Sequence, residues 1–452
     1  MMNIFKTPEG YLYSNRALLY LFLPLLVEYA LEFFVGLADS IMVASLGEAA
    51  ISGVSLVDFL MQFLIFSFSA LATGGAVVAG QYLGDKKVGQ AQNAATQLVW
   101  FSTISSTALM IVVIILRQFL IGILFGHIEA DVWYNADMYL YIVALSIPFI
   151  AIYNAGAAIF RTTNKAAFPM QVMLVCDILN IVGNAICIYY LGWDVRGVAI
   201  PTVISRMMAA ILIMYFAATK NERLSIKLKL KHKFDTIILK KVLKVGIPYG
   251  IENGLFQLGR ILILSLVSTF GTMAIAANSV GYAIGIFSVL PGFAVNLGLT
   301  AIISNCVGAN DYEQARYYNK KCLSLVFISH IIINLIIFAM LPMVLGIYNL
   351  SAQTAQMATE MVIWHGIFAI IIWPLSFTIP ATFRGAGDSK SVMYISLAVM
   401  FTCRIGLSYV IADWMGVGVF GTWIAMFIDW YVRAAIYIYR YFSNKWTEYR
   451  VV

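Results

Sequence analysis

Twelve runs of this chain are long and apolar enough to cross a bilayer as helices, and this constrains the fold more than any motif does. They are expected at 18–44, 51–80, 96–120, 135–160, 169–190, 197–218, 243–269, 273–303, 321–346, 357–383, 391–412 and 417–441. Their length argues against buried strands, and the ten-residue alternation of a membrane barrel is missing from the sequence. Composition agrees: 62% of the 452 residues are hydrophobic and 11% charged, with a mean hydropathy of +0.87. Soluble domains carry about 25% charged residues. The chain therefore reads as an all-α polytopic membrane protein. Its first run is too long and too acidic for a signal peptide and is expected to stay in the mature protein.

The charges outside the runs set the topology. Of the 29 Lys and Arg residues, only Arg117 and Arg196 fall on one side, and Arg206, Arg260, Arg404 and Arg433 fall within runs. All the others lie in the loops and ends assigned to the opposite side, which the positive-inside bias makes cytoplasmic. Both termini are then cytoplasmic. Positions 86, 165, 227 and 320 are expected inside, and 47, 127 and 194 outside. Residues 1–17 form a short polar arm at the membrane surface. The basic stretch 219–242 is a cytoplasmic linker and topology anchor between a six-helix lobe at 1–218 and a second at 243–452.

The two lobes are related by an internal repeat. A shift of 224 residues superposes Pro24, Glu28 and Leu31 on Pro248, Glu252 and Leu255. The same shift pairs Gly47 with Gly271, Gly74 with Gly298, and Gly84 with Gly308. With small drift, Phe160-Arg161 matches Phe383-Arg384, and Gly197-Val198 matches Gly418-Val419. Six helices per repeat is an even number, so both lobes face the same way. The symmetry axis lies along the membrane normal, with a central cleft between lobes suited to alternating access.

Polar groups inside the runs mark where function is to be sought, because a carboxylate in hydrocarbon is costly. Glu28, Glu32 and Asp39 share one broad face of the first run and read as a cation-handling stripe. Ser55, Asp58, Gln62 and Ser69 line the second run, where Asp58 either binds a cation or accepts hydrogen bonds. Asn154, Asp177, Asn180, Asn184 and Thr202 offer the carboxylate, amide and hydroxyl oxygens of a hard-cation shell. Pro24, Pro148, Pro169 and Pro201 are placed to bend spans or start helices. Pro291 is expected to divide the eighth span, and Pro374 and Pro380 to punctuate the tenth.

The second lobe differs. It keeps Glu252 but has Phe256 and Ile263 in place of Glu32 and Asp39, and it adds Arg260. Arg260 either restrains Glu252 or lines the cavity. Asp429 and Arg433 read as a structural ion pair. Aromatics such as Tyr282, with Glu28, Glu252 or Asp58 in reach, would suit amphipathic organic cations. His127, His232, His330 and His365 are too scattered for metal ligation. The five cysteines have neither disulfide nor metal spacing. The sequence holds no nucleotide-binding motif and no nucleophile–base arrangement, so neither ATP use nor an enzyme is expected.

The segments LADSIMVASLGEAAISGVS, FRTTNKAAFP and FRGAGDSKSVM, the Gly84 turn and the repeated GVA/GVF segments resemble the multidrug and toxic compound extrusion (MATE) family over essentially the whole chain. The resemblance implies a multidrug efflux antiporter of a prokaryotic cytoplasmic membrane that functions as a monomer among lipids. It would export small organic compounds as sodium ions or protons flow in, without cofactor, nucleic acid or metal other than sodium. Asp39 falls where members carry the essential acid of the first helix. Asn154, Asn180, Asn184 and Thr202 match the polar contributors to the N-lobe cation site. Asn184 stands where those members carry Asp, which lowers the local negative charge and leaves sodium and proton coupling both open. The wider superfamily also contains lipid-linked oligosaccharide and polysaccharide precursor flippases, the alternative function.

Overall fold

Hydrocarbon offers backbone amides no partner, so a spanning segment must satisfy them within its own helix. The computed structural model describes residues 7–126, 128–221, 224–226, 234–348 and 350–452. Residues 1–6 of the arm, His127, His232, linker residues 222–223 and 227–233, and the topology positions 127 and 227 lie outside the described residues. In chain order the helices begin with α1 (Asn15–Ala44), α2 (Glu48–Gly84), α3 (Val88–Phe125), α4 (Ala130–Ala144) and α5 (Ile147–Thr162). Next come α6 (Ala167–Ala185), which runs into a π-helical turn at Ile186–Tyr190, and α7 (Arg196–Thr219). The second half has α8 (Thr236–Ser268), α9 (Thr272–Gly308), α10 (Tyr312–Ile347), α11 (Ala352–Ile371), α12 (Trp373–Phe377) and α13 (Ile379–Ala386). It ends with α14 (Ser389–Val399), continued by π-helical turns to Trp414, and α15 (Val419–Phe442).

Among the described residues ten helices are long and apolar enough to span, and counting each bent pair as one span gives twelve. The bent pairs are α4 with α5, at 48°, and α11 with α12–α13, at 64°. They are the fourth and tenth expected spans, so the break recurs in both repeats. Each break is followed at once by a proline, Pro148 or Pro374, whose missing N–H costs nothing at a helix start. Pro291 does not divide its span. It sits inside the continuous α9, where closely packed neighbours support the helix across one lost hydrogen bond.

Contacts divide the chain into a unit of residues Tyr13–Gly250 and a unit of Ile251–Val452 with the N-terminal arm. Both borders therefore differ from the positions 218 and 243 read from the sequence. The opening of α8 joins the first unit because Gly246 packs on Gly74 and Lys241 Nζ donates to Tyr82 Oη at 2.9 Å. Residues 7–12 join the second because Leu12 N donates to Gln314 Oε1 at 2.9 Å and Lys321 Nζ donates to Thr7 Oγ1 at 2.9 Å.

Lipid tails are as apolar as leucine, so helix association rests on close packing and buried polar pairs. In the first unit Val54, Val57, Met61, Leu64 and Phe68 recur at helical spacing on α2 and pack with Leu140, Val143 and Ile147. A Cβ on Gly74 would lie 2.5 Å from Gly246 N, and one on Gly75 would lie 2.5 Å from Leu98 Cδ2. The repeated Gly47 and Gly271 precede α2 and α9 with φ of +108° and +89°, a region other residues adopt with strain.

Candidate functional site

The first unit assembles its polar residues from helices distant in sequence. α6 packs against both α1 and α7. Asn184 and Asn180, one turn apart on α6, point to those neighbours. Asn184 Nδ2 donates to Asp39 Oδ1 of α1 at 2.8 Å and to Asn180 Oδ1 at 3.2 Å. Asn180 Nδ2 donates to Thr202 Oγ1 of α7 at 3.0 Å. Asp39, Asn184, Asn180 and Thr202 thus form one chain of hydrogen bonds across three helices. Two acceptors beside it have no hydrogen-bond donor among the described residues: Asn184 Oδ1 and Asp177 Oδ2, both buried. Asn154 is not drawn into this chain. Its amide nitrogen donates to Ile150 O of its own helix at 2.9 Å.

Asp58 accepts from Tyr139 Oη of α4 at 3.1 Å. Asp39 and Asp58 lie within electrostatic reach of each other and of Arg206. The Arg206 guanidinium donates to Ser146 Oγ at 2.9 Å, and Ser146 sits at the α4–α5 break. A positive charge inside a span is therefore fixed to a bend and shares a field with two acids. Glu32 and Gln62 are exposed on their helices.

Glu28 is not an open cavity carboxylate. It is 9% exposed, and its Oε1 accepts from Arg161 Nη2 at 3.0 Å and from Tyr153 Oη at 3.1 Å. The second unit repeats the device. Glu252 Oε1 accepts from Arg384 Nη2 at 2.8 Å and from Ser396 Oγ at 2.7 Å. The charge pattern assigns Arg161 and Arg384 to the cytoplasmic loops. Burial instead pairs each with a carboxylate that offsets the desolvation of its guanidinium. Arg260 accordingly does not restrain Glu252. It donates to Gln257 Oε1 at 2.9 Å and lies 4.6 Å from the Tyr282 ring centroid.

Asp429 and Arg433 form a buried ion pair at 2.9 Å. His330 and His365 are built into the aromatic core of this unit. His330 Nδ1 lies 2.9 Å from Ala369 O, and His365 Nδ1 lies 3.2 Å from Ser288 Oγ between Trp423 and Trp430.

The residues missed by sequence reasoning are Arg161, Arg384, Arg206, Tyr139 and Tyr153. For the first two a signal existed: the repeat preserves both the glutamate and the arginine, 133 and 132 positions apart. For Arg206 it was the single basic residue of its span. Nothing in the sequence distinguishes the two tyrosines.

Up to twelve spans among the described residues, in two related halves that each bury polar groups and repeat the same break, fit a polytopic membrane transporter. The chain belongs to the MatE family, whose family model matches residues 24–186 and again 248–410. Those two matches begin 224 residues apart, the internal shift read from the sequence. Among relatives, the uncharacterized transporter YisQ of Bacillus subtilis (strain 168) is 26% identical over 94% of this chain and 93% of its own length. The probable multidrug resistance protein NorM of Thermotoga maritima is 23% identical over 97% of this chain and 94% of its own. A crystal structure of MATE in complex with MaL6 has the same fold, with a TM-score of 0.88 at 20% identity, covering 96% of this chain and 97% of that one.

Proposed function

We propose that this protein is an efflux antiporter of a prokaryotic cytoplasmic membrane, with both termini inside, working as a monomer. It exports amphipathic organic compounds, cationic ones among them, as sodium ions or protons flow in. The relatives described as multidrug proteins support the substrate breadth. The observation that carries the coupling is the hydrogen-bonded chain Asp39–Asn184–Asn180–Thr202 with two buried acceptor oxygens beside it that no donor among the described residues meets.

A carboxylate in such a place is stabilised by taking up a cation or a proton, which removes the cost of its charge in hydrocarbon. For sodium, Asp39 would supply a charged oxygen and Asn184 Oδ1 and Thr202 Oγ1 neutral ones. For a proton, Asp39 or Asp177 would carry it. Either event changes the field at Arg206, which holds Ser146 at the α4–α5 bend. Coupling then runs from the ion to the bend, and from the bend to bound substrate, for which Glu32, Asp58 and Gln62 remain candidate contact residues. The test is transport of tetraphenylphosphonium in proteoliposomes with sodium and proton gradients imposed separately. Accumulation that follows neither gradient refutes the antiporter reading.

A further inference from the structure

The second unit carries uncharged residues where three acids of the first stand. The 224-residue shift takes Glu32, Asp39 and Asp58 of the first unit to Phe256, Ile263 and Tyr282 of the second. Two of these replacements are aromatic rings, and each faces an arginine. Arg260 lies 4.6 Å from the Tyr282 centroid, and Arg404 lies 5.4 Å from the Phe256 centroid. Arg433 approaches Phe256 as well, at 5.7 Å. Arg404 is within electrostatic reach of both Arg260 and Arg433.

Acids in this unit do not balance these charges. Glu252 is engaged by Arg384, and Asp429 by Arg433. Among the described residues no ion pair involves Arg260 or Arg404. Arg260 has an amide oxygen, and Arg404 has only the Met426 thioether at 3.2 Å, a weak acceptor. Three donors in this region, Arg404 Nε, Arg433 Nε and Trp430 Nε1, are buried and have no acceptor among the described residues. Arg260 and Arg404 are themselves half-buried. Guanidinium groups held on aromatic faces and short of acceptors are built to take a planar or tetrahedral anion.

We propose that Arg260 and Arg404, seated on Tyr282 and Phe256, form a binding site for the carboxylate, sulfonate or phosphate group of an amphipathic organic molecule. The rings would hold its apolar body. This deepens the efflux reading, on which it rests, by naming a substrate class the protein would accept beside cations: amphipathic anions.

The test uses the full protein in lipid nanodiscs with radiolabelled taurocholate as the anionic probe and tetraphenylphosphonium as the cationic one. Wild type is expected to bind taurocholate saturably. Arg260→Gln and Arg404→Gln should each weaken that binding about tenfold or more, the scale of one lost charge-assisted hydrogen bond. Arg404→Lys, which keeps the charge and loses the fork, should weaken it less, and tetraphenylphosphonium binding should not fall in any of the three.

A second measurement needs no variant. Taurocholate should protect Arg260 and Arg404 of the wild type from phenylglyoxal, read by peptide mass spectrometry, and leave the exposed Arg196 unprotected. Discs of phosphatidylcholine alone and discs containing phosphatidylglycerol separate the two sources of such an anion. Competition by phosphatidylglycerol assigns the site to a lipid headgroup, and its absence assigns it to the soluble anion. Saturable binding that survives both glutamine substitutions, or equal modification with and without taurocholate, overturns the site. Gradient-driven tetraphenylphosphonium export without anion binding would overturn this inference alone. Anion binding without any gradient-driven transport would support it while removing the antiporter reading.

Discussion

Replacing Arg161 by Gln is the sharpest test of what Glu28 does. The structure gives Glu28 Oε1 two donors, Arg161 Nη2 at 3.0 Å and Tyr153 Oη at 3.1 Å, and leaves Oε2 buried without one among the described residues. Without Arg161 a desolvated carboxylate would keep a single neutral donor. Breaking a buried pair from one side costs about 3–5 kcal/mol, because the remaining charge is uncompensated. Glu28→Gln should cost a similar amount by stranding the guanidinium. The double variant buries no charge, so its cost should fall short of the sum by about 1–3 kcal/mol. The assay is unfolding of the purified protein in mixed micelles for wild type, both single variants and the double, read by tryptophan fluorescence. The parallel cycle at Glu252 and Arg384 should behave alike, with the Ser396 hydroxyl at 2.7 Å softening the loss of Arg384. Single costs below about 1 kcal/mol, the worth of a solvent-screened pair, or strict additivity would refute the reasoning. A raised KM for tetraphenylphosphonium in a fully stable Glu28→Gln protein would return Glu28 to the substrate cavity.

Other outcomes follow from the same geometry. Asp39→Asn keeps the shape of the hydrogen-bonded chain and removes its charge; it should leave membrane abundance intact and abolish gradient-driven export, and coupled transport like wild type in matched vesicles would count against the coupling role. Asn184→Asp adds an acid 2.8 Å from Asp39, and should tighten sodium dependence if sodium is the coupling ion or shift the pH profile if it is the proton. Gly74→Val should cost about 1–3 kcal/mol by overpacking against Gly246, measured by the same unfolding assay, with no change as the contrary result. In a cysteine-free background, single cysteines at 86, 165 and 320 should resist an impermeant thiol reagent applied to intact cells while 47 and 194 react; labelling of the first group would invert the topology.

The amino-acid sequence by itself determined the spans, their number and the repeat. The physical reason is that hydrocarbon accepts only long apolar helices, and duplication leaves a constant shift that survives as Pro24/Pro248, Glu28/Glu252 and Gly47/Gly271. It also brought Asp39, Asn180, Asn184 and Thr202 into one candidate set, since a polar residue in such a run must have a reason to be there. Only the tertiary structure decided which groups meet. Arg161 looked like a loop charge until α5 carried it to Glu28, while Asn154 Nδ2 turned to Ile150 O of its own helix. Pro291 read as a break, yet α9 continues through it, whereas the chain breaks at Ser146 and Ile372. A bend or a pair depends on what the neighbouring helices place opposite each residue, and spacing along a single helix carries no record of that. The arginines of the second unit make the same point. Their sequence positions showed charge in a membrane, and only packing set them on aromatic rings with their acids already taken.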